Sequence, residues 1–362
     1  MDCLPLYFKI SLSQFPSLKF NNTLLPTPLF CSLSLHSTGL FRSKRKSLTL
    51  VASYSGNNND GSGNCEYSGL TVPLVPTNEA GRLLSGILMN DREGFYGYVE
   101  KELVKLACLK NDALLRSVFS LGSDEAFLHR RISELRKLEC QKAVEDVIYM
   151  LIVYKFSEIG VHLVPKLSNC MYNGRLEIWP CKDWELESIH SIEVLEMVKE
   201  IGWEYKSNVK DNWALTQVQK LQIRRVYAAS VLYGYFLKSA SLRYHLEQSF
   251  DKTPSNLLFS SDTGPLSVGP MSLIEGKRQD NFRSYVTSLD HEVKGMCAKP
   301  KFKEAMSVIK KHCSALFGDE SDEEVSTSLA SLKRLVLEAV AFGSFLWEAE
   351  DYVRAFYRLE EN

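Results

Sequence analysis

The sequence predicts a mainly α-helical protein, a helical bundle with a short β-hairpin near its middle. Apolar residues recur at helical spacing over most of residues 78–358. Within this range, residues 143–153 are apolar almost all round, which is typical of a helix that enters a hydrophobic core. The turn dipeptide Asn173-Gly174 stands between short extended runs and predicts the hairpin, because both of its residues tolerate positive φ.

Residues 1–52 have the composition of a chloroplast transit peptide. No acidic residue occurs between Asp2 and Asp60, whereas six Lys and Arg residues fall among Ser, Leu, Thr and Pro. The stretch Val51–Ser53 favours cleavage near Ala52, and we expect the mature protein in the stroma. A secretory signal fits less well because an apolar segment of the required length is missing; an untargeted disordered tail is the alternative.

The net charge of the chain limits the kinds of partner that it is expected to bind. Removing residues 1–52 takes six from the 43 Lys+Arg and one from the 44 Asp+Glu, which leaves 37 against 43 and a net charge near −6. A mildly acidic chain is a poor match for nucleic acid, so no nucleic-acid partner is expected. No apolar run of about 18 residues occurs, and no transmembrane segment is predicted.

The chain divides into six predicted segments. They are a transit peptide (1–52), a disordered linker (53–77), helical unit one (78–160), a central hairpin with long helices (161–250), a flexible loop (251–280) and helical unit two (281–358). Similar motifs at offsets of 193 and 187 residues, such as Val144–Tyr149 and Leu337–Phe342, make the two units a possible pseudo-repeat. Chance similarity between amphipathic helices is the alternative.

In unit one, a helix is expected from Asn78 and a second over Tyr98–Cys108. The second places Val99, Leu103 and Leu106 inward. Ser123–Glu125 is expected to cap a long helix that runs toward Ile159. Glu145, on that helix, is expected to form a buried ion pair with a lysine or to bond with Tyr149; an acid/base role is the alternative.

In the central segment, Leu163–Pro165 and Arg175–Pro180 are expected to be the hairpin strands, confined to sheet edges by their prolines. A helix should start at Asp183, and another, capped by Asp211 or Asn212, should reach Gln248. The inward positions of the first are Ile189, Ile192, Leu195, Val198 and Ile201. Small residues at Ala228, Ala229 and Gly234 should let a neighbouring helix approach the second closely.

Unit two is expected to contain three helices. They are Asn281–Met296, Pro300–Phe317 and Glu324–Leu359, with a solvated acidic loop over Gly318–Glu324.

The candidate pocket lies in the central segment, where Trp, Cys and His are concentrated. Its residues are His162, Cys170, Trp179, Cys181, Trp184, Glu187 and His190. The cysteine and histidine spacings match no standard zinc module, and Glu-x-x-His, which di-iron bundles use twice, occurs once. A thiolate–imidazole pair is a further alternative. No catalytic residue, metal or cofactor is assigned, and Trp179 and Trp184 are expected to cap the core.

Residues 140–159, 164–198 and 212–243 resemble a family of plant chloroplast proteins. The block Trp179-Pro-x-Lys-Asp-Trp-Glu-Leu-Glu-Ser188 carries the resemblance most specifically. The family is named for UV-B-induced members and catalogued as domain of unknown function number 760, with relatives in cyanobacteria. The resemblance implies a plastid location and a mostly helical fold, and it brings no established catalytic residues. It also implies the Clp chaperone–protease system as a candidate partner.

Two functional hypotheses follow. The first is a non-enzymatic, stress-responsive interaction or regulatory module of the stroma. It rests on the acidic, helix-rich composition and on the lack of GxGxxG, P-loop, GxSxG, HExxH and EF-hand patterns. The second is a small-molecule-binding protein or enzyme with its pocket around Cys170–His190.

Overall fold

The computed structural model describes residues 72–122, 124–202, 215–251, 281–319 and 323–360. Several predictions lie outside these residues. They concern the transit peptide, the linker up to residue 71, the cap at Asp211 or Asn212, the loop over 252–280 and the acidic residues 320–322.

Within the described residues the chain forms ten α-helices and four short strands, which confirms the mainly α prediction. The helices are α1 Glu79–Asn90, α2 Phe95–Phe119, α3 Ala126–Glu158, α4 Asp183–Glu187, α5 Ile192–Gly202, α6 Lys220–Asp251, α7 Phe282–Ser288, α8 His291–Ala298, α9 Lys303–Phe317 and α10 Leu329–Phe356. The strands are β1 Met171–Tyr172, β2 Arg175–Leu176, β3 Leu215–Gln219 and β4 Glu324–Ser328.

The first three helices follow the hydrophobic pattern. Val99, Leu103 and Leu106 of α2 are buried as predicted, although α2 extends well beyond Tyr98–Cys108 at its C-terminal end. Helix α3 is buried on every side from Ala143 to Val153, because α1, α2, α9 and α10 pack around it. The folded part of the chain begins before residue 78, because the backbone N–H of Thr77 donates a hydrogen bond to Asp146 Oδ2 at 3.0 Å.

The predicted hairpin is present, with different strands. Asn173 and Gly174 have φ values of 50° and 75°, as the turn requires. The partner of β2 is β1 and not Leu163–Pro165, so that part of the prediction is wrong. The edge position is also wrong for β2, which pairs parallel to β4 on its other side in a sheet of order β1-β2-β4-β3.

Strands β3 and β4 were not expected. They replace the first residues of two predicted helices, the one expected from Asp211 or Asn212 and the one expected from Glu324. The strand conformation fits the burial pattern of β3, in which Thr216 and Val218 are buried while their neighbours are exposed. The strands pair antiparallel, with Gln217 opposite Ser326. Each strand runs directly into a long helix, α6 or α10.

These two strand–helix units are related by a local pseudo-twofold axis. Gln217 pairs with the residue 109 positions later (326 − 217). The same offset separates Gly234 from Gly343, where α6 and α10 cross. A Cβ atom on Gly234 would lie 2.0 Å from the Val340 carbonyl oxygen, and one on Gly343 would lie 1.9 Å from that of Val231. The predicted close approach at Gly234 is confirmed, and the symmetry relates segments other than the two predicted helical units.

Two other predicted helices are each divided in the structure. The helix expected from Asp183 is α4 followed by α5, in which Ile192 is exposed and Val194 is buried instead. The helix expected over Asn281–Met296 is α7 followed by α8, because Leu289 and Asp290 have extended backbone angles.

Candidate functional site

Residues 161–190, which contain all the predicted pocket residues and include β1, β2 and α4, form a segment that is bonded along α10. We call it the clamp segment. Its backbone N–H groups at Val164 and Ile178 donate to Glu338 Oε2 (2.9 Å) and Ser331 Oγ (3.1 Å). Both acceptors are buried side chains of α10. These bonds satisfy two buried backbone N–H groups that lie outside the strands and helices of the segment.

Charged contacts continue this attachment. Lys333 of α10 pairs with Asp183 at 2.8 Å and with Glu187 at 3.1 Å, which ties α4 to α10. Arg334 Nη2 donates to the His162 carbonyl at 2.9 Å. The clamp segment is therefore bonded to α10 near its beginning, its middle and its end.

A buried polar group lies beneath the clamp segment. We call Arg334, Glu338, Tyr227 and His312 the Glu338 cluster. Arg334 Nη1 and Glu338 Oε2 are 2.9 Å apart, and both side chains are almost fully buried. The Tyr227 hydroxyl donates to Glu338 Oε1 at 3.3 Å and lies 2.9 Å from His312 Nε2. The cluster joins α6, α9, α10 and the clamp segment.

Burial sets the protonation of this cluster. It raises the pKa of Glu338, and the adjacent Arg334 opposes that shift. It lowers the pKa of His312 to about 3, so the imidazole is neutral at physiological pH. Arg334 Nε, Arg334 Nη1 and His312 Nδ1 are buried without a hydrogen-bond partner among the described residues. The ion pair and the hydrogen bonds to Glu338 therefore offset only part of the cost of removing the cluster from water.

The predicted cysteines are half-buried and have weak nucleophile character. Burial, with the charge of Glu338, raises the pKa of Cys170 to about 11. Burial and then Asp183 raise the pKa of Cys181. Both therefore favour the thiol over the reactive thiolate.

The histidines of the predicted pocket differ in environment. The His162 side chain is exposed, and only its backbone carbonyl joins the network. Nε2 of His190 is buried without a hydrogen-bond partner among the described residues. Burial, with a smaller effect of Lys238, lowers the pKa of His190 to about 4. Among the described residues, no group of three or more His, Cys, Asp or Glu is arranged to bind a metal.

The two tryptophans point outward. Trp179 is 73% exposed and Trp184 is 81% exposed, so the expectation that they cap the core is wrong. Contacts of their neighbours explain this. Ile178, next to Trp179, is buried and bonds to Ser331 of α10, and Asp183, next to Trp184, pairs with Lys333 of α10.

Glu145 lies outside this site. It pairs with Lys311 of α9 at 2.5 Å, which confirms the expected buried ion pair with a lysine. Its neighbour Asp146 accepts from the backbone and side-chain N–H groups of Asn78 and fixes the start of α1.

Comparison with known proteins shows similarity of amino-acid sequence, both to a family model and to an individual relative. Residues 127–250 match a family model described as "Protein of unknown function (DUF760)". The chain is also 32% identical over 369 residues to the "UV-B-induced protein At3g17800, chloroplastic" of Arabidopsis thaliana, which covers 91% of this chain and 87% of the relative. The chain belongs to the DUF760 family. No solved structure matches it.

The DUF760 match includes the clamp segment but not the helix to which it is bonded. It begins in α3 and ends in α6, whereas α10 and His312 follow it in the chain. In this member of the family, the site is thus assembled from the matched region and the C-terminal helices. None of the described helices is sufficiently long and apolar to cross a membrane.

Proposed function

We propose that this DUF760 chain is a stress-responsive protein of the chloroplast stroma that acts by binding other proteins and not by catalysis. The name of the Arabidopsis relative, UV-B-induced and chloroplastic, supports the location and the link to stress. The composition of residues 1–52 supports import, since it is basic and almost free of acidic residues.

The observation that carries the binding function is the exposure of Trp184 on the clamp segment. Tryptophan is highly buried on average, yet this side chain is 81% exposed. Exposed tryptophans that become buried on association often contribute most of the binding energy. Because the clamp segment is already bonded to α10, little conformational entropy is lost when a partner covers this side chain.

The chemistry of the surrounding groups favours binding over catalysis. Burial raises the pKa values of the Cys170 and Cys181 thiols and lowers the pKa of the His190 imidazole. The Clp chaperone–protease system, implied by the family resemblance, is the first protein partner to examine. The small-molecule alternative places its ligand against the same Cys170–His190 segment.

We expect Trp184→Ala to weaken partner binding by at least about tenfold, the loss typical of an interface tryptophan. The test is quantitative capture of stromal proteins from intact chloroplasts by tagged wild-type and variant chains. Phe250→Ala is the matched control, because Phe250 is an aromatic side chain on α6 that is 76% exposed. Folding should not change, since truncating an exposed side chain leaves no cavity.

An identical set of captured proteins for wild type and Trp184→Ala would contradict the proposal. Thermal unfolding in the presence of plastid metabolites and metal ions examines the alternative. A specific ligand that stabilises the wild type and not Trp184→Ala or His190→Ala would favour a small-molecule site.

A further inference from the structure

A second feature, separate from the clamp segment, is a two-helix arm that extends from the rest of the helical bundle. It comprises the C-terminal part of α2 and the N-terminal part of α3, residues 109–139, described except for residue 123. Two polar contacts mark its base. Lys110 Nζ donates to the Arg358 carbonyl at 3.1 Å, and Lys137 pairs with Glu360 at 2.7 Å.

The seam between the two helices of the arm is made of small or polar residues. On α2 the least exposed positions are Ala113, which is buried, and Ser117, which is half-buried. On α3 the half-buried positions are Ala126, His129 and Ser133. This seam buries little apolar area, so it gives the arm little of the hydrophobic stabilisation that helical hairpins need.

The large apolar residues of the arm face solvent instead. They lie in two stripes at i, i+4 and i+7 spacing. The first is Leu114 and Val118 of α2 with Leu121 in the turn after that helix, and the second is Leu128, Ile132 and Leu135 of α3. Their exposed fractions lie between 42% and 74%. At the tip, Phe119 and Phe127 are 82% and 83% exposed.

The geometry points to an interface between two copies of this chain, formed by their arms. If a whole aromatic side chain offers about 150–250 Å² and an aliphatic one somewhat less, the eight stripe and tip residues together present on the order of 1,000 Å² per copy, which is the most that an interface could bury. A stable interface needs about 800 Å² per partner. Pairing two arms makes four helices, which can pack around a shared apolar core as in a four-helix bundle.

Charge does not oppose this pairing. The arm contains six Lys and Arg residues and five Asp and Glu residues, so two copies meet with almost no net charge. Several of these charges are already paired along the helix, as in Arg136 with Glu139 at 2.8 Å and Arg131 with Glu134 at 3.2 Å. A membrane surface fits less well, because Asp124 and Glu125 lie at the tip between the two phenylalanines.

Sedimentation velocity of the full chain over a dilution series tests the proposal. The wild type is expected to be a dimer that dissociates on dilution, and Val118→Glu/Ile132→Glu is expected to be a monomer wherever the wild type is a dimer. Leu246→Glu on α6 is the control, because Leu246 is 59% exposed and lies outside the arm. A monomeric wild type, a dimeric double variant, or an equal effect of the control overturns the proposal.

A measurement on the unmodified chain covers the case in which the double variant does not fold. Amide hydrogen exchange of the wild type, followed against protein concentration, should show added protection in residues 109–139 at high concentration. If the protection of residues 109–139 does not change with protein concentration, or if protection rises only in other parts of the chain, the arm is not the interface.

Discussion

Gly343→Ala is expected to lower the free energy of unfolding by about 3 kcal/mol or more. The new Cβ atom would lie 1.9 Å from the Val231 carbonyl oxygen and 2.7 Å from the Tyr235 backbone nitrogen. These are backbone atoms of α6, so no side-chain rotation relieves the clash and the two helices must separate. Urea unfolding followed by circular dichroism measures the change.

The control for this prediction uses glycines in the interior of other helices. Cβ atoms on Gly86 in α1 and Gly97 in α2 meet nothing within 4 Å. Gly86→Ala and Gly97→Ala should therefore stabilise the chain by about 0.5–1 kcal/mol, because alanine has the higher helix propensity. If Gly343→Ala unfolds at the same urea concentration as these variants, the close crossing of α6 and α10 is wrong.

Arg334→Met is expected to cost about 3–5 kcal/mol, because it leaves the carboxylate of Glu338 buried without its counter-ion. Glu338 is fully buried, and Arg334 Nη1 lies 2.9 Å from its Oε2. The variant also removes the bond from Arg334 to the His162 carbonyl, so the start of the clamp segment should loosen. Urea unfolding again gives the change in stability.

Two further variants distinguish the cost of leaving the Glu338 carboxylate unpaired from the cost of losing contacts in general. Lys333→Met removes two neighbouring ion pairs, with Asp183 and Glu187, that are partly exposed, and its cost should be below about 2 kcal/mol. Arg334→Met/Glu338→Gln should be more stable than Arg334→Met alone, because the amide keeps an acceptor for Val164 and carries no charge. A double variant no more stable than Arg334→Met would argue against an ionised, paired Glu338.

Much of the helical architecture could be predicted because its signals are local. The spacing of Val99, Leu103 and Leu106 predicted the buried face of α2, and the Asn173-Gly174 pair predicted the turn. Strands β3 and β4 were missed because each has five residues, and their pairing joins positions 109 residues apart. The alternation of β-branched with polar residues was the only signal available for them.

The site was predicted less well because its chemistry depends on which way side chains face. Composition drew attention to Trp184, but only the attachment of its neighbours to α10 shows that it faces solvent. Arg334 and Glu338 are four residues apart, a spacing that usually indicates a solvated ion pair. The apolar residues on every side of them, from Leu335 to Phe342, were the signal that this pair is buried.

The central claim is that the clamp segment is a rigid frame bonded to α10, and amide hydrogen exchange by NMR tests it most directly. The N–H groups of Val164 and Ile178 bond to the buried side chains of Glu338 and Ser331. We predict that both amides exchange only when the whole chain unfolds, with the free energy measured by urea unfolding. Exchange of either amide through a low-energy local opening would contradict the claim.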